Sequence, residues 1–115
     1  DVQKNSGLTL SQETLGGTVV LAVAGELDVV TAPQFREALA SVLATRPECA
    51  VVDLTGVTFL ASAGLGVLAD LAVTERAGVG VRVVVDKPTT ARPIEITGLN
   101  ELLALYPSRQ EALVR

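Results

Sequence analysis

Residues 49–68 read CAVVDLTGVTFLASAGLGVL. Cys49 to Leu54 forms a short, nearly continuous apolar run, which is typical of a parallel strand covered on both faces. Thr55-Gly56 predicts a turn, and Val57 to Leu60 then leads into a helix whose apolar residues extend from Leu65 to Val73. A buried strand followed by a helix indicates an α/β domain.

The residues before this stretch predict two antiparallel strands and a helix. Leu8 to Glu13 alternates apolar and polar residues, Gly16-Gly17 offers a turn, and Thr18 to Ala24 is rich in Val and Leu. In Thr31-Ala32-Pro33-Gln34 we expect Thr31 to cap the helix and Gln34 to complete a capping box. One helical face is apolar and predicts burial on the sheet: Phe35, Ala38, Leu39, Val42 and Leu43.

The residues after it predict two more strands and two more helices. Gly78 ends the helix that starts near Ser62, and Gly98 ends the next one, which opens at Thr90-Ala91-Arg92-Pro93. The remaining predicted elements are a strand at Val81–Val85, an edge strand at Leu102–Tyr106 and a terminal helix capped by Ser108. The pattern therefore predicts one α/β domain over residues 1–115, with a mixed sheet of about five strands and about four helices.

Composition narrows the possible functions. The 115 residues include no histidine, which removes the usual general base and the commonest metal ligand, so we expect no enzyme, metal site or cofactor. A net charge of -4 and the absence of a Lys/Arg cluster argue against nucleic acid and anionic membranes as partners. One cysteine, Cys49, and no apolar span of 18 residues indicate a cytoplasmic protein.

Ser62 stands where the central strand passes into a helix. The first N–H groups of a helix lack internal partners and carry partial positive charge, so a phosphate on Ser62 would be tolerated there. Gly64 and Gly66 follow on the same helix and leave its surface without side chains. The arrangement predicts a surface that another protein can approach closely.

Three segments resemble the signatures of the STAS family of anti-sigma factor antagonists: residues 53–68, Gly25-Glu26-Leu27-Asp28 with Thr31-Ala32-Pro33, and Ile96-Thr97-Gly98-Leu99. The resemblance implies a STAS-like fold with helices packed mainly on one face. It also implies a partner switch, in which the chain binds an anti-sigma factor with serine kinase activity and thereby frees a sigma factor. Phosphorylation of Ser62 ends that binding, and a serine phosphatase is a further possible partner.

By position, the resemblance assigns Ser62 as phosphoacceptor and places the docking surface near Glu26, Asp28, Thr31, Thr58, Ala61, Gly64 and Gly66. In one respect the chain departs from the family, because Ala61 stands where the family has Asp. A STAS scaffold that binds partners or self-associates without a phosphorylation cycle is therefore a second hypothesis.

Other interpretations of the same residues stay open. Ser62 would also serve as a helix N-cap, and Glu26 and Asp28 as a solvated turn. Gly64 and Gly66 would also allow close packing of the helix on the sheet. Gly64-x-Gly66-x-x-Ala69, with Asp86 twenty residues beyond Gly66, matches a dinucleotide-binding fingerprint, although its mid-chain position argues against a nucleotide-binding protein.

Overall fold

The computed structural model describes residues 2–5, 7–75 and 80–114, with side chains for 7–73 and 80–114. The strands are β1 Val2–Asn5, β2 Leu8–Leu15, β3 Thr18–Leu27, β4 Cys49–Leu60, β5 Gly80–Val84 and β6 Ala104–Tyr106. The helices are α1 Ala32–Ala44, α2 Ser62–Glu75, α3 Pro88–Ile96 and α4 Arg109–Leu113, with a 3-10 turn at Leu99–Glu101. The predicted end of α2 at Gly78 lies outside the described residues.

The strands form one mixed sheet in chain order. Across the described residues the sheet has six strands, ordered β1-β2-β3-β4-β5-β6. β1, β2 and β3 pair antiparallel, and β3, β4, β5 and β6 pair parallel. The five predicted strands correspond to β2–β6, and β1 is an edge strand that the sequence pattern did not predict.

The two faces of the sheet are covered unequally. The large core lies under α1, α2 and α3, and includes Phe35, Leu39 and Val42 from the predicted apolar face of α1. On the other face the short α4 covers a smaller cluster, in which Ala112 packs with Val51 and Val84. The α/β class, the mixed sheet and the packing of helices mainly on one face are thus confirmed. None of the helices in the described part of the chain is long and apolar enough to cross a membrane.

β4 runs through the predicted turn at Thr55-Gly56, so that prediction is wrong. The pairing of β3 with β4 shifts register between Ala22 and Ala24 and again between Gly25 and Glu26, which marks two irregularities in one continuous strand. A Cβ on Gly56 would stand 2.7 Å from the Cβ of Ala24, so glycine at this position permits the close approach of the two strands.

The ends of the shorter helices follow the sequence signals in part. α3 begins at Pro88, two residues before the predicted start, and Pro93 lies inside it. Gly98 adopts the predicted left-handed conformation, with φ of 80°, and Leu99 behind it is buried. Ser108 caps α4 as predicted, because its Oγ accepts a hydrogen bond from the N–H of Glu111 at 3.1 Å.

Candidate functional site

β3 and β4 are adjacent parallel strands, so their carboxyl ends lie side by side. Leu27 and Leu60, the last residues of the two strands, are paired across the ladder. The N–H of Ala61 donates to the carbonyl of Leu27 at 2.8 Å, which fixes the start of α2 beside the end of β3. In parallel sheets this edge is the usual place for binding residues, and all the candidate residues lie on it or on α2.

The loop between β3 and α1 is held by hydrogen bonds around Asp28. Its carboxylate Oδ1 accepts from the N–H groups of Val30 and Thr31 at 2.9 and 3.0 Å. The Thr31 hydroxyl donates to the carbonyl of Glu26 at 2.7 Å and accepts from the N–H of Asp28 at 3.0 Å. These hydrogen bonds connect Thr31, just before α1, to Glu26 and Asp28 at the end of β3, and so hold the loop in one conformation.

The predicted capping box at Thr31 is wrong. Thr31 precedes α1 in a right-handed helical conformation and makes no side-chain cap hydrogen bond. Its side chain is 1 % exposed, because the hydroxyl is used inside the loop. The hydrogen bond from the Thr31 backbone is the largest cause that lowers the pKa of Asp28, so this carboxylate stays ionised at neutral pH.

Glu26 and Thr58 lie on adjacent strands at the same edge, and both are exposed. Thr58 Oγ1 donates to the carbonyl of Gly25 at 3.3 Å. Gly25 has φ of +108°, and a Cβ there would stand 2.0 Å from the carbonyl oxygen of Gly7, so only glycine fits. The N–H of Glu26 then donates to that same oxygen at 2.8 Å, which fixes the backbone that carries the Glu26 carboxylate.

Ser62 is the first residue of α2 and its side chain is exposed. The residue before the helix is the half-buried Ala61, whose carbonyl accepts from the N–H of Leu65 at 3.1 Å. In the part of the chain that the structure describes, the Ser62 hydroxyl makes no hydrogen bond, so the N-cap interpretation of Ser62 is wrong. The hydroxyl is open to solvent beside the positive end of the helix.

Gly64 and Gly66 face different surroundings. A Cβ on Gly64 would stand 2.8 Å from Leu60 Cδ1 and 3.1 Å from Leu27 Cβ, so Gly64 permits close packing of α2 on the sheet. A Cβ on Gly66 would meet nothing within 4 Å. Of the two glycines, Gly66 therefore leaves open space on the outer side of α2, whereas Gly64 is buried.

The same positions contradict the dinucleotide-binding hypothesis. That fingerprint needs its glycines in the turn between strand and helix, where the backbone meets the pyrophosphate. Here β4 ends at Leu60, α2 begins at Ser62, and both glycines lie within the helix. Asp86, the proposed ribose ligand, forms an ion pair with Lys87 at 3.2 Å.

One feature of this edge was missed from the sequence. Val29 and Val30, in the loop between β3 and α1, are both exposed, and Val29 lines a shallow depression together with Ala63 and Gly66 of α2. The signal was present, because two adjacent valines in a loop between Asp28 and Thr31 have no strand or helix to bury them.

Comparison with known proteins settles the family. The model of the STAS domain matches residues 9–112. The chain belongs to the STAS domain family. Its STAS domain is 37% identical over 108 residues to the anti-sigma-F factor antagonist RsfB of Mycobacterium tuberculosis, a match that covers 92% of this chain and 87% of RsfB.

Two solved structures extend the comparison. An anti-sigma factor antagonist from Mycobacterium paratuberculosis is 42% identical, with a TM-score of 0.85 and coverage of 92% of this chain and 91% of that chain. SpoIIAA of Bacillus in its unphosphorylated form has a TM-score of 0.72 at 20% identity, covering 90% and 92% of the two chains, and shares the fold. The two mycobacterial proteins are named anti-sigma factor antagonists, which agrees with the family expected from the sequence motifs.

Proposed function

We propose that this STAS domain is an anti-sigma factor antagonist that binds an anti-sigma factor with serine kinase activity and so releases a sigma factor. Phosphorylation of Ser62 switches the antagonist off. The observation that carries the proposal is the exposed Ser62 hydroxyl at the start of α2, with no internal hydrogen bond among the described residues. The names of the similar antagonists from two mycobacteria support the choice of partner.

The change in charge explains the switch. A phosphoryl group adds about -1.5 to -2 charges at neutral pH. Glu26 and Asp28 lie on the same edge of the sheet, so the modified edge repels acidic groups of the partner. The dianion also loses hydration when a close-packed partner covers it, which costs further binding free energy. SpoIIAA, which shares this fold, has been solved in a phosphorylated form, so the fold tolerates the modification.

The other candidate residues take different parts in this proposal. Glu26, Thr58, Ala61 and Gly66 contact the partner directly. Asp28 and Thr31 stabilise the conformation of the loop between β3 and α1, and Gly64 allows α2 to pack closely on the sheet. The protein acts by binding and not by catalysis, uses no cofactor, and works in the cytoplasm, where a serine phosphatase resets it.

A constitutive scaffold is the second candidate. Ala61 favours it, because the family's usual Asp before the serine is missing and a kinase loses one carboxylate with which to orient the hydroxyl. Under this alternative the protein binds other partners or a second copy of itself, and Ser62 is not phosphorylated.

Ser62 variants test the proposal. The native protein and Ser62→Ala should both displace sigma factor from a preformed sigma–anti-sigma complex, whereas Ser62→Asp should do so at least about tenfold less well, because it places a charge in the contact. Displacement is measured by the fluorescence anisotropy of labelled sigma factor. The partners are the kinase-type anti-sigma factors of the protein's own organism.

Ser108→Asp is the matched control, since Ser108 lies at the start of another helix and should not affect displacement. Equal displacement by native protein and Ser62→Asp would contradict the charge mechanism. A native protein that displaces no sigma factor would contradict the proposed function itself.

A further inference from the structure

We infer that Val29 and the depression beside it form an apolar anchor site, which receives an apolar side chain from the anti-sigma factor. The inference rests on the proposed function and names the part of the docking surface that supplies most of its binding free energy. None of the residues assigned from the family motifs is a large apolar side chain.

The site is built from a loop and two helices. The depression is lined by Val29 from the loop between β3 and α1, by Pro33 from α1, and by Ala63 and Gly66 from α2. Ala63 has only a methyl group and Gly66 has no side chain, which leaves room that a larger residue would fill, since a Cβ on Gly66 would meet nothing within 4 Å.

Val29 is exposed but fixed. Its side chain is 77 % exposed, so nearly all of its apolar surface is available for burial. The loop that carries it is closed by the hydrogen bonds of Asp28 and Thr31 described above. A partner therefore gains apolar burial without having to order the loop, and preorganised apolar groups of this kind contribute strongly to affinity.

The position of the depression beside Ser62 indicates that the anti-sigma factor is the protein that covers it. Ala63 adjoins Ser62, so a kinase that brings ATP to the Ser62 hydroxyl covers the depression at the same time. The charged residues that line the depression are Arg36 and Glu37; Arg36 is ion-paired with Asp70, and Asp28 directly precedes Val29 in the chain. The surroundings are thus acidic, and we expect the apolar side chain of the anti-sigma factor to be flanked by basic residues.

The test compares Val29→Ser with Ile96→Ser. Ile96, on α3, is 78 % exposed, so the control removes the same kind of surface at another place. Affinity for the anti-sigma factor that the native protein binds best is measured by calorimetry. Val29→Ser should bind about tenfold more weakly or worse, and Val29→Ile and Ile96→Ser should stay within about threefold of native.

The outcomes separate the inference from the function on which it rests. Thermal unfolding of each variant should match that of the native protein, because both side chains are exposed. Native binding with equal affinities for Val29→Ser and Ile96→Ser would overturn the anchor site and leave the proposed function standing. If the native protein bound no anti-sigma factor, both would be overturned.

Discussion

Asp53 shows how a single charged residue is accommodated in a buried strand. It is 5 % exposed in the middle of β4, and its Oδ2 accepts from Arg109 Nε and Nη2 at 3.0 and 2.8 Å. Burial alone would raise the pKa of Asp53, but hydrogen bonds from Thr55 and Arg109 outweigh it and lower the pKa. The ion pair ties α4 to the sheet on the face opposite the large core.

This pKa shift predicts a pH-dependent stability. Because folding lowers the pKa of Asp53 below its ordinary value of 3.8, the stabilisation is complete at neutral pH and disappears as the pH falls through the folded pKa. Asp53→Asn should lower the free energy of unfolding by about 2 kcal/mol at pH 7, and this deficit should shrink as the pH falls from 3.8 through the folded pKa. Urea unfolding across this pH range is the measurement.

Asp86→Asn is the control, since Asp86 forms an exposed ion pair with Lys87 and should matter little at any pH. A deficit of Asp53→Asn that stayed constant down to pH 2 would show that the charge of Asp53 contributes nothing.

At the residue scale, the sequence predicted where a residue lies relative to strands and helices better than which groups its side chain contacts. Ser62 was placed correctly because a strand pattern ends and a helix pattern begins there. The bond between Asp53 and Arg109 was not predictable, because 56 positions separate the two residues and only the fold brings them together. Threonine is a common N-cap residue, but the hydroxyl of Thr31 donates its hydrogen bond to the carbonyl of Glu26 and does not cap α1.

At the scale of elements, α2 presents one glycine to the sheet and one to the outside. Alanine is favoured over glycine in a helix by about 0.5–1 kcal/mol where it has room. Gly66→Ala should therefore raise the melting temperature, because its Cβ meets nothing within 4 Å.

Gly64→Ala is the matched variant and should lower the melting temperature, because its Cβ would press on Leu27 and Leu60. Differential scanning calorimetry of the two variants measures the difference. A melting temperature for Gly64→Ala at or above that of Gly66→Ala would contradict the orientation of α2.

Local patterns predicted most elements but missed the irregular ones. Thr55-Gly56 has turn composition, yet pairing with β3 on one side keeps it within β4. Pro93 suggested the first turn of a helix, and the true start at Pro88 carries the same signal five residues earlier. The loop between β3 and α1 has no periodic sequence pattern, so its conformation became known only from the hydrogen bonds of Asp28 and Thr31 in the structure.

At the scale of the whole molecule, the candidate site and the ion pair of α4 lie apart. The helices that carry the site cover one face of the sheet, and α4 closes the other. Ser62 is exposed in the unmodified protein, so phosphorylation requires no rearrangement of the core. We therefore expect a switch that changes the charge of one edge and leaves the fold unaltered.

The most direct test mixes the domain with a kinase-type anti-sigma factor and ATP, and follows the complex by native mass spectrometry together with the mass of the Ser62 peptide. The proposed function predicts that the complex dissociates at the rate at which one phosphate appears on Ser62. A complex that persists while Ser62 becomes fully phosphorylated, or that dissociates with Ser62 unmodified, would contradict it.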